Sequence, residues 1–102
     1  MPRVEFLWWA GCPSHEQALT QLREAVAAEG LDPAAVEVRE IESEDAAVAE
    51  SFPGSPTIRI DGRDIQDAHE DATVGLTCRV YRLRDGRPSP TPDPADVREA
   101  LR

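Results

Sequence analysis

The stretch VEFLWWAGCPSHEQAL, Val4–Leu19, joins a short apolar run to the beginning of a helical pattern. In the run Val4–Trp9, apolar side chains fall on both faces of an extended chain, which is typical of a central strand covered above and below. Pro13 suits the first turn of a helix, because its missing N–H has no partner there. The helical pattern continues with apolar residues at Leu19, Leu22 and Val26. We therefore predict a buried strand, then a helix from about Pro13 to Glu29, with Cys12 at their junction.

The next segment repeats this order of elements. Val36–Ile41 alternates as a second strand. Ser43 then opens a short helix, since a capping serine precedes two acidic residues at the positive end of the helix dipole. Val48 and Phe52, four residues apart, are predicted to be the buried pair of this helix.

A hairpin and a less regular C-terminal region complete the chain. Thr57–Ile60 is predicted to be a strand, and Asp61-Gly62 is a strong two-residue hairpin signal before the short returning strand Arg63–Ile65. The remaining predictions are an irregular acidic stretch over 66–75, a strand Cys78–Leu83, a turn at Asp85-Gly86, a proline-rich connection Pro88–Pro94 and a helix Ala95–Leu101 with Val97 and Leu101 buried.

The order of these elements predicts one α/β domain over residues 1–102. It is β-α-β-α-β-β, an irregular insertion, then α. The first strand–helix–strand unit should be parallel with a right-handed crossover, and the hairpin should add antiparallel strands. The expected fold is therefore a mixed sheet flanked by helices.

Composition narrows the classes of function. The formal net charge is −9, so phosphate backbones and anionic membranes would be repelled, and we expect neither nucleic acid nor membrane as a partner. All 11 basic residues are arginine, which leaves no lysine for Schiff-base chemistry or for a phosphate-binding loop. The run Val4–Trp9 is too short for a signal peptide or a membrane span, so we expect a cytoplasmic protein.

Cys12 is the strongest candidate for chemistry. A cysteine at the start of a helix meets unpartnered N–H groups and the positive end of the dipole, and both favour the thiolate. His15 lies one residue past Ser14 on the same first turn, where an imidazole could stabilise the thiolate or relay a proton. The alternative for His15 is an idle, half-packed residue on the helical stripe.

The sequence resembles the thioredoxin superfamily, with a glutaredoxin-like Cys-Pro step. The resemblance rests on W-x-G-C-P at the start of a helix and on Gly54-Ser55-Pro56-Thr57 before the hairpin strand, and it spans Arg3 to about Ile65. It implies a thioredoxin-like fold, with Cys12 as the attacking nucleophile and Pro56 as a cis-proline that presents backbone to a bound thiol. We predict that Trp9, Pro13, Ser55, Pro56 and Thr57 contact a substrate, and of these only Pro56 is carried over from the resemblance.

The sequence departs from that family at position 15. The family's resolving cysteine would stand there, and this chain has His15. Cys78 could act as a remote resolving thiol, or an external thiol could act in a monothiol mechanism. The partner would then be a protein or a low-molecular-weight thiol or disulfide, with no cofactor. A different interpretation makes Cys78 a small buried thiol of its strand.

A non-catalytic function is the alternative. Cys12, Cys78 and His15 could converge to bind a soft metal, Cu(I), Zn or Hg, or another ligand. The fold could also dock a partner protein. His69 lies in an acidic loop where a metal site is conceivable, although a solvated loop is commoner. The arginines at 79, 82, 84 and 87 are predicted to be solvated or paired with acids.

Overall fold

The computed structural model describes residues 2–66 and 74–102 of the chain. His69, and most of the predicted irregular stretch over 66–75, lie outside the described residues. The described elements are β1 (Val4–Trp8), α1 (His15–Ala28), a 3₁₀ turn (Pro33–Ala35), β2 (Glu37–Glu40), α2 (Glu44–Ala49), β3 (Thr57–Ile60), β4 (Arg63–Asp64), β5 (Tyr81–Arg82), β6 (Pro88–Ser89) and α3 (Pro94–Leu101).

A four-stranded mixed sheet forms the centre, in the order β2-β1-β3-β4. β1 pairs with β2 in parallel, with Phe6 opposite Val38, and pairs with β3 antiparallel, with Phe6 opposite Ile58. The predicted parallel unit and the antiparallel hairpin are both confirmed. The hairpin turn at Asp61 and Gly62 has positive φ at both residues, as a tight two-residue turn requires.

The central position of β1 explains why both of its faces are apolar. Val4 and Phe6 pack on one face with buried residues of α1 and α3, and Trp8 lies against this cluster. Leu7 packs on the other face with Ile41, Ala47 and Phe52, and Trp9 lies against that second cluster. Burial on both sides holds the end of β1 in place, and Cys12 follows four residues later.

The prediction for the short helix was wrong in one residue. Phe52 is fully buried, but Val48 is 66% exposed, and Ala47 takes the buried position. α2 ends at Ala49, and Ser51 then adopts φ of +51°. The N–H of Phe52 donates to the carbonyl of Ala47 (2.8 Å), a terminating turn that carries Phe52 out of the helix. Helical spacing therefore does not relate Val48 to Phe52.

The C-terminal region also differs from expectation. Of the predicted strand Cys78–Leu83, only Tyr81–Arg82 is a strand, and it pairs with Pro88–Ser89, inside the predicted proline-rich connection. The ladder is short because proline has no N–H to extend it. α3 begins at Pro94, one residue earlier than predicted, and its Val97 and Leu101 are buried as expected. None of the helices in residues 2–66 and 74–102 has the length and apolar character needed to cross a bilayer.

Candidate thiol site

Cys12 lies in a tight turn between β1 and α1. Its N–H donates to the carbonyl of Trp9 (3.1 Å), and α1 begins at His15 with Ser14 as its N-terminal capping residue. The helix thus starts two residues later than predicted, because Cys12 and Pro13 belong to the turn. Gly11 is needed in that turn, since a Cβ there would lie 2.4 Å from the indole ring of Trp9.

The sulfur of Cys12 is enclosed by polar groups. Cys12 is only 2% exposed. Its Sγ lies 3.2 Å from Oγ of Ser14 and 3.5 Å from the backbone carbonyl of Ser55, to which the thiol donates. These two polar neighbours of the sulfur come from the helix start and from the loop before β3.

The loop before β3 forms the second wall of the site. The Ser55–Pro56 peptide bond is cis. Oγ of Ser55 accepts a hydrogen bond from the N–H of Trp9 (3.0 Å), and Oγ1 of Thr57 donates to the carbonyl of Gly54 (2.6 Å). The side chains of Ser55, Pro56 and Thr57 are fully buried. These three predicted substrate-binding residues therefore lie beside Cys12 and shape its surroundings.

Cys78 is brought against this loop by backbone pairing. The N–H of Ser55 donates to the carbonyl of Thr77, and the N–H of Arg79 donates to the carbonyl of Ser55, both at 2.8 Å. Ser55 and Cys78 thus form an isolated parallel bridge. Cys78 is exposed, so its interpretation as a buried strand thiol was wrong.

The two cysteines share one open cavity of about 390 Å³, and both are free thiols. The described residues that line it are Cys12, Pro13, Ser14, Gln17, Cys78 and Pro90. Pro13 is exposed at its rim, as a substrate contact would require, whereas the indole of Trp9 packs on the far face of β1. The sequence offered no signal for Gln17 or Pro90.

The thiols affect each other's acidity in opposite directions. Burial raises the pKa of Cys12 and is the largest single influence on it. The side chains of Cys78, Ser14 and Ser55 and the backbone of Ser14 favour the thiolate by hydrogen bonding, and together they outweigh burial, so the pKa of Cys12 lies below its ordinary value. The hydrogen bond to the Cys12 sulfur raises the pKa of Cys78, and burial adds to that rise. Near neutral pH, Cys12 therefore holds the larger share of thiolate.

The imidazole ring of His15 makes two contacts in the turn that carries Cys12. Its Nδ1 lies 2.7 Å from the backbone carbonyl of Cys12 and donates to it. Its ring stacks on Trp8, with centroids 4.4 Å apart. The histidine thereby braces the turn that carries Cys12, and its Nδ1 is engaged by the backbone.

Arg79 anchors the segment that carries Cys78, a role that sequence reasoning missed. Its guanidinium donates to both carboxylate oxygens of Asp64 (2.6 and 2.8 Å) and to the carbonyl of Gln66 (2.7 Å). It also lies 4.5 Å above the ring centroid of Tyr81, whose hydroxyl donates to the carbonyl of Pro56. The predicted pairing of this arginine with an acid is confirmed, but only the tertiary structure identifies Asp64 as its partner.

The described residues do not form a three-ligand metal site. Across 2–66 and 74–102, no group of three or more histidine, cysteine or acidic side chains is arranged to hold a metal ion. Cys12, Cys78 and His15 therefore do not converge as a metal-binding trio. Comparison of the chain with protein-family models, with curated proteins and with solved structures finds no significant match.

Proposed function

We propose that this protein is a thiol oxidoreductase on a thioredoxin-like frame, with Cys12 as the nucleophile and Cys78 as the resolving thiol. The observation that carries the proposal is the adjacency of the two thiols in one cavity, although 65 residues separate them in the chain. The cis peptide at Pro56 beside Cys12 also matches what the resemblance implies.

The proposed reaction has two exchange steps. The Cys12 thiolate attacks one sulfur of a disulfide RS–SR, forming a Cys12–SR mixed disulfide and releasing RS⁻. Cys78 loses its proton to the released thiolate or to water, and its sulfur attacks the sulfur of Cys12. The second RS⁻ leaves, and a Cys12–Cys78 disulfide remains. An external dithiol then reduces that disulfide and is itself oxidised, which closes the cycle.

The proposal includes a cytoplasmic setting. The two exchange steps together need both cysteines reduced at the outset, and the reducing cytoplasm maintains that state. His15 acts in this proposal by holding the turn at Cys12. The alternative function was binding of a soft metal or ligand through Cys12, Cys78 and His15, or docking of a partner protein. The described residues form no three-ligand metal group, and the other versions stay predictions from the sequence.

Stoichiometric oxidation tests the proposal. We expect one equivalent of a low-molecular-weight disulfide to remove both free thiols together from a monomer, as read by alkylation and intact mass. Cys12→Ser should retain Cys78 as a free thiol or as a mixed disulfide. Loss of the two thiols only through disulfide-linked dimers, or no loss at all, would contradict an intramolecular pair.

The pH dependence of alkylation tests the effect of each thiol on the acidity of the other. The apparent pKa of Cys12 is expected below the ordinary thiol value of about 8.5, and that of Cys78 above it. Cys78→Ala removes a donor to the Cys12 sulfur, so the apparent pKa of Cys12 should rise. Cys78→Ser keeps an O–H donor and is the matched control, with a smaller rise. The measurement is the alkylation rate of each cysteine-containing peptide by mass spectrometry. An unchanged apparent pKa of Cys12 in Cys78→Ala would show that Cys78 does not stabilise its thiolate.

A further inference from the structure

An apolar depression borders the cavity at the two thiols. The two share Cys78 and Pro90 as lining residues, and the depression has a volume of about 290 Å³. Val80 lies in the depression and is 65% exposed. The described residues lining the depression are Cys78, Arg79, Val80, Pro88, Ser89 and Pro90. A small apolar group attached to a sulfur near Cys78 could therefore pack against the side chains of Val80, Pro88 and Pro90.

The described lining of the thiol cavity carries no charged side chain. Arg79 contributes to the neighbouring depression, but its guanidinium is committed to Asp64 and to the Gln66 carbonyl, and its side chain is only 7% exposed. The whole chain carries a formal net charge of −9. Among the described lining residues, a carboxylate entering this cavity would find no cation to offset the water it loses, and the net negative charge of the chain would oppose its approach.

The backbone next to Cys12 is already paired with the chain itself. Both the N–H and the carbonyl of Ser55 are bonded to Thr77 and Arg79, and the carbonyl of Pro56 accepts from Tyr81. An extended peptide that binds by strand addition needs free N–H and C=O groups. The segment 77–79 occupies those groups at Ser55, and it is fixed there by the side chain of Arg79.

We propose that the Cys12–Cys78 pair takes a small, uncharged disulfide as its substrate, and discriminates against anionic disulfides and extended peptide disulfides. This inference rests on the proposed function and uses the same two exchange steps, with R an uncharged group. One R group lies against Pro90 and Val80 while its sulfur bonds to Cys12.

A matched pair of disulfides tests the charge preference. Bis(2-hydroxyethyl) disulfide and 3,3′-dithiodipropionate have similar length and differ in charge. At about 1 M salt, where the Debye length is roughly 3 Å, long-range repulsion is screened. For each state of the protein we take the rate of Cys12–Cys78 bond formation with the neutral disulfide divided by the rate with the dianion. We expect this ratio to be about tenfold larger for the folded protein than for the urea-unfolded chain. Equal folded and unfolded ratios would overturn the inference.

A charge introduced into the cavity lining tests whether the disulfide binds in this cavity. Gln17→Arg adds a cation to the lining, so the dianion should react roughly fivefold faster than with the unchanged protein. Thr20→Arg adds the same charge to an exposed position one turn along α1, outside the described lining, and should change the rate by less than about twofold. Equal effects of the two variants would overturn the assignment of this cavity.

A peptide completes the test. A capped, uncharged peptide with one cysteine, supplied as its disulfide-linked dimer, is expected to react at least about tenfold slower than bis(2-hydroxyethyl) disulfide. An equal rate would show that segment 77–79 does not prevent a peptide from binding beside Cys12. That result would overturn the assignment of a small-molecule substrate. If none of the three disulfides produced the Cys12–Cys78 bond, the proposed function itself would fail. If all three disulfides produced that bond with the same relative rates as in the unfolded chain, the proposed function would stand and only the substrate preference would fail.

Discussion

Cys78→Ser is expected to lower steady-state disulfide turnover by about 100-fold or more and to accumulate a mixed disulfide at Cys12. The resolving attack is intramolecular in the unchanged protein, and well-oriented intramolecular reactions reach effective molarities of about 10⁵ M and above. An external thiol at millimolar concentration replaces only a small part of that advantage. The first exchange step survives, because Cys12 and the Ser14 and Ser55 groups that stabilise its thiolate are unchanged.

The measurement is turnover of a low-molecular-weight disulfide with excess dithiol, combined with intact mass after acid quenching. Thr77→Ser is the matched control, since Thr77 is exposed and holds Ser55 through its backbone carbonyl. It should keep turnover within about twofold. If Cys78→Ser turned over as fast as the unchanged protein, external thiols would resolve the mixed disulfide, and the monothiol mechanism would replace the one proposed.

Asp64→Asn is expected to lower the free energy of unfolding by about 3 kcal/mol. Arg79 and Asp64 are largely buried, with side chains 7% and 18% exposed. Removing one partner of a buried pair leaves an uncompensated charge, which typically costs about 3–5 kcal/mol. Because Arg79 also anchors the segment that pairs with Ser55, the rate of Cys12–Cys78 bond formation should fall as well.

Urea denaturation measures the stability change, and Glu37→Gln provides the matched acid-to-amide control. Glu37 pairs with Arg3 at 2.7 Å, but both side chains are about half exposed or more, so its loss should cost about 1 kcal/mol or less. Equal effects of the two substitutions would show that the Arg79–Asp64 pair does not stabilise the fold beyond an ordinary surface pair.

Local patterns in the sequence were sufficient for the elements that position Cys12. Apolar residues on both faces of Val4–Trp9 predicted a central strand, and the structure has β1 between β2 and β3. Asp61-Gly62 predicted the hairpin, and Val97 and Leu101 predicted the buried face of the last helix. These patterns succeed because side-chain periodicity and turn conformation depend on residues within a few positions of each other.

Only the tertiary structure decided where Cys78 lies. No periodicity links it to Cys12, and its position depends on backbone pairing with Ser55 and on the buried contact of Arg79 with Asp64. The exposure of the Val48 side chain likewise depended on where α2 ended and on the turn at Ser51. Contacts between segments distant in the chain depend on how helices and strands pack in three dimensions. The local sequence of either segment does not specify that packing. The sequence by itself thus determined a cysteine between a buried strand and a helix. The pairing of segment 77–79 with Ser55 brought the second cysteine beside it.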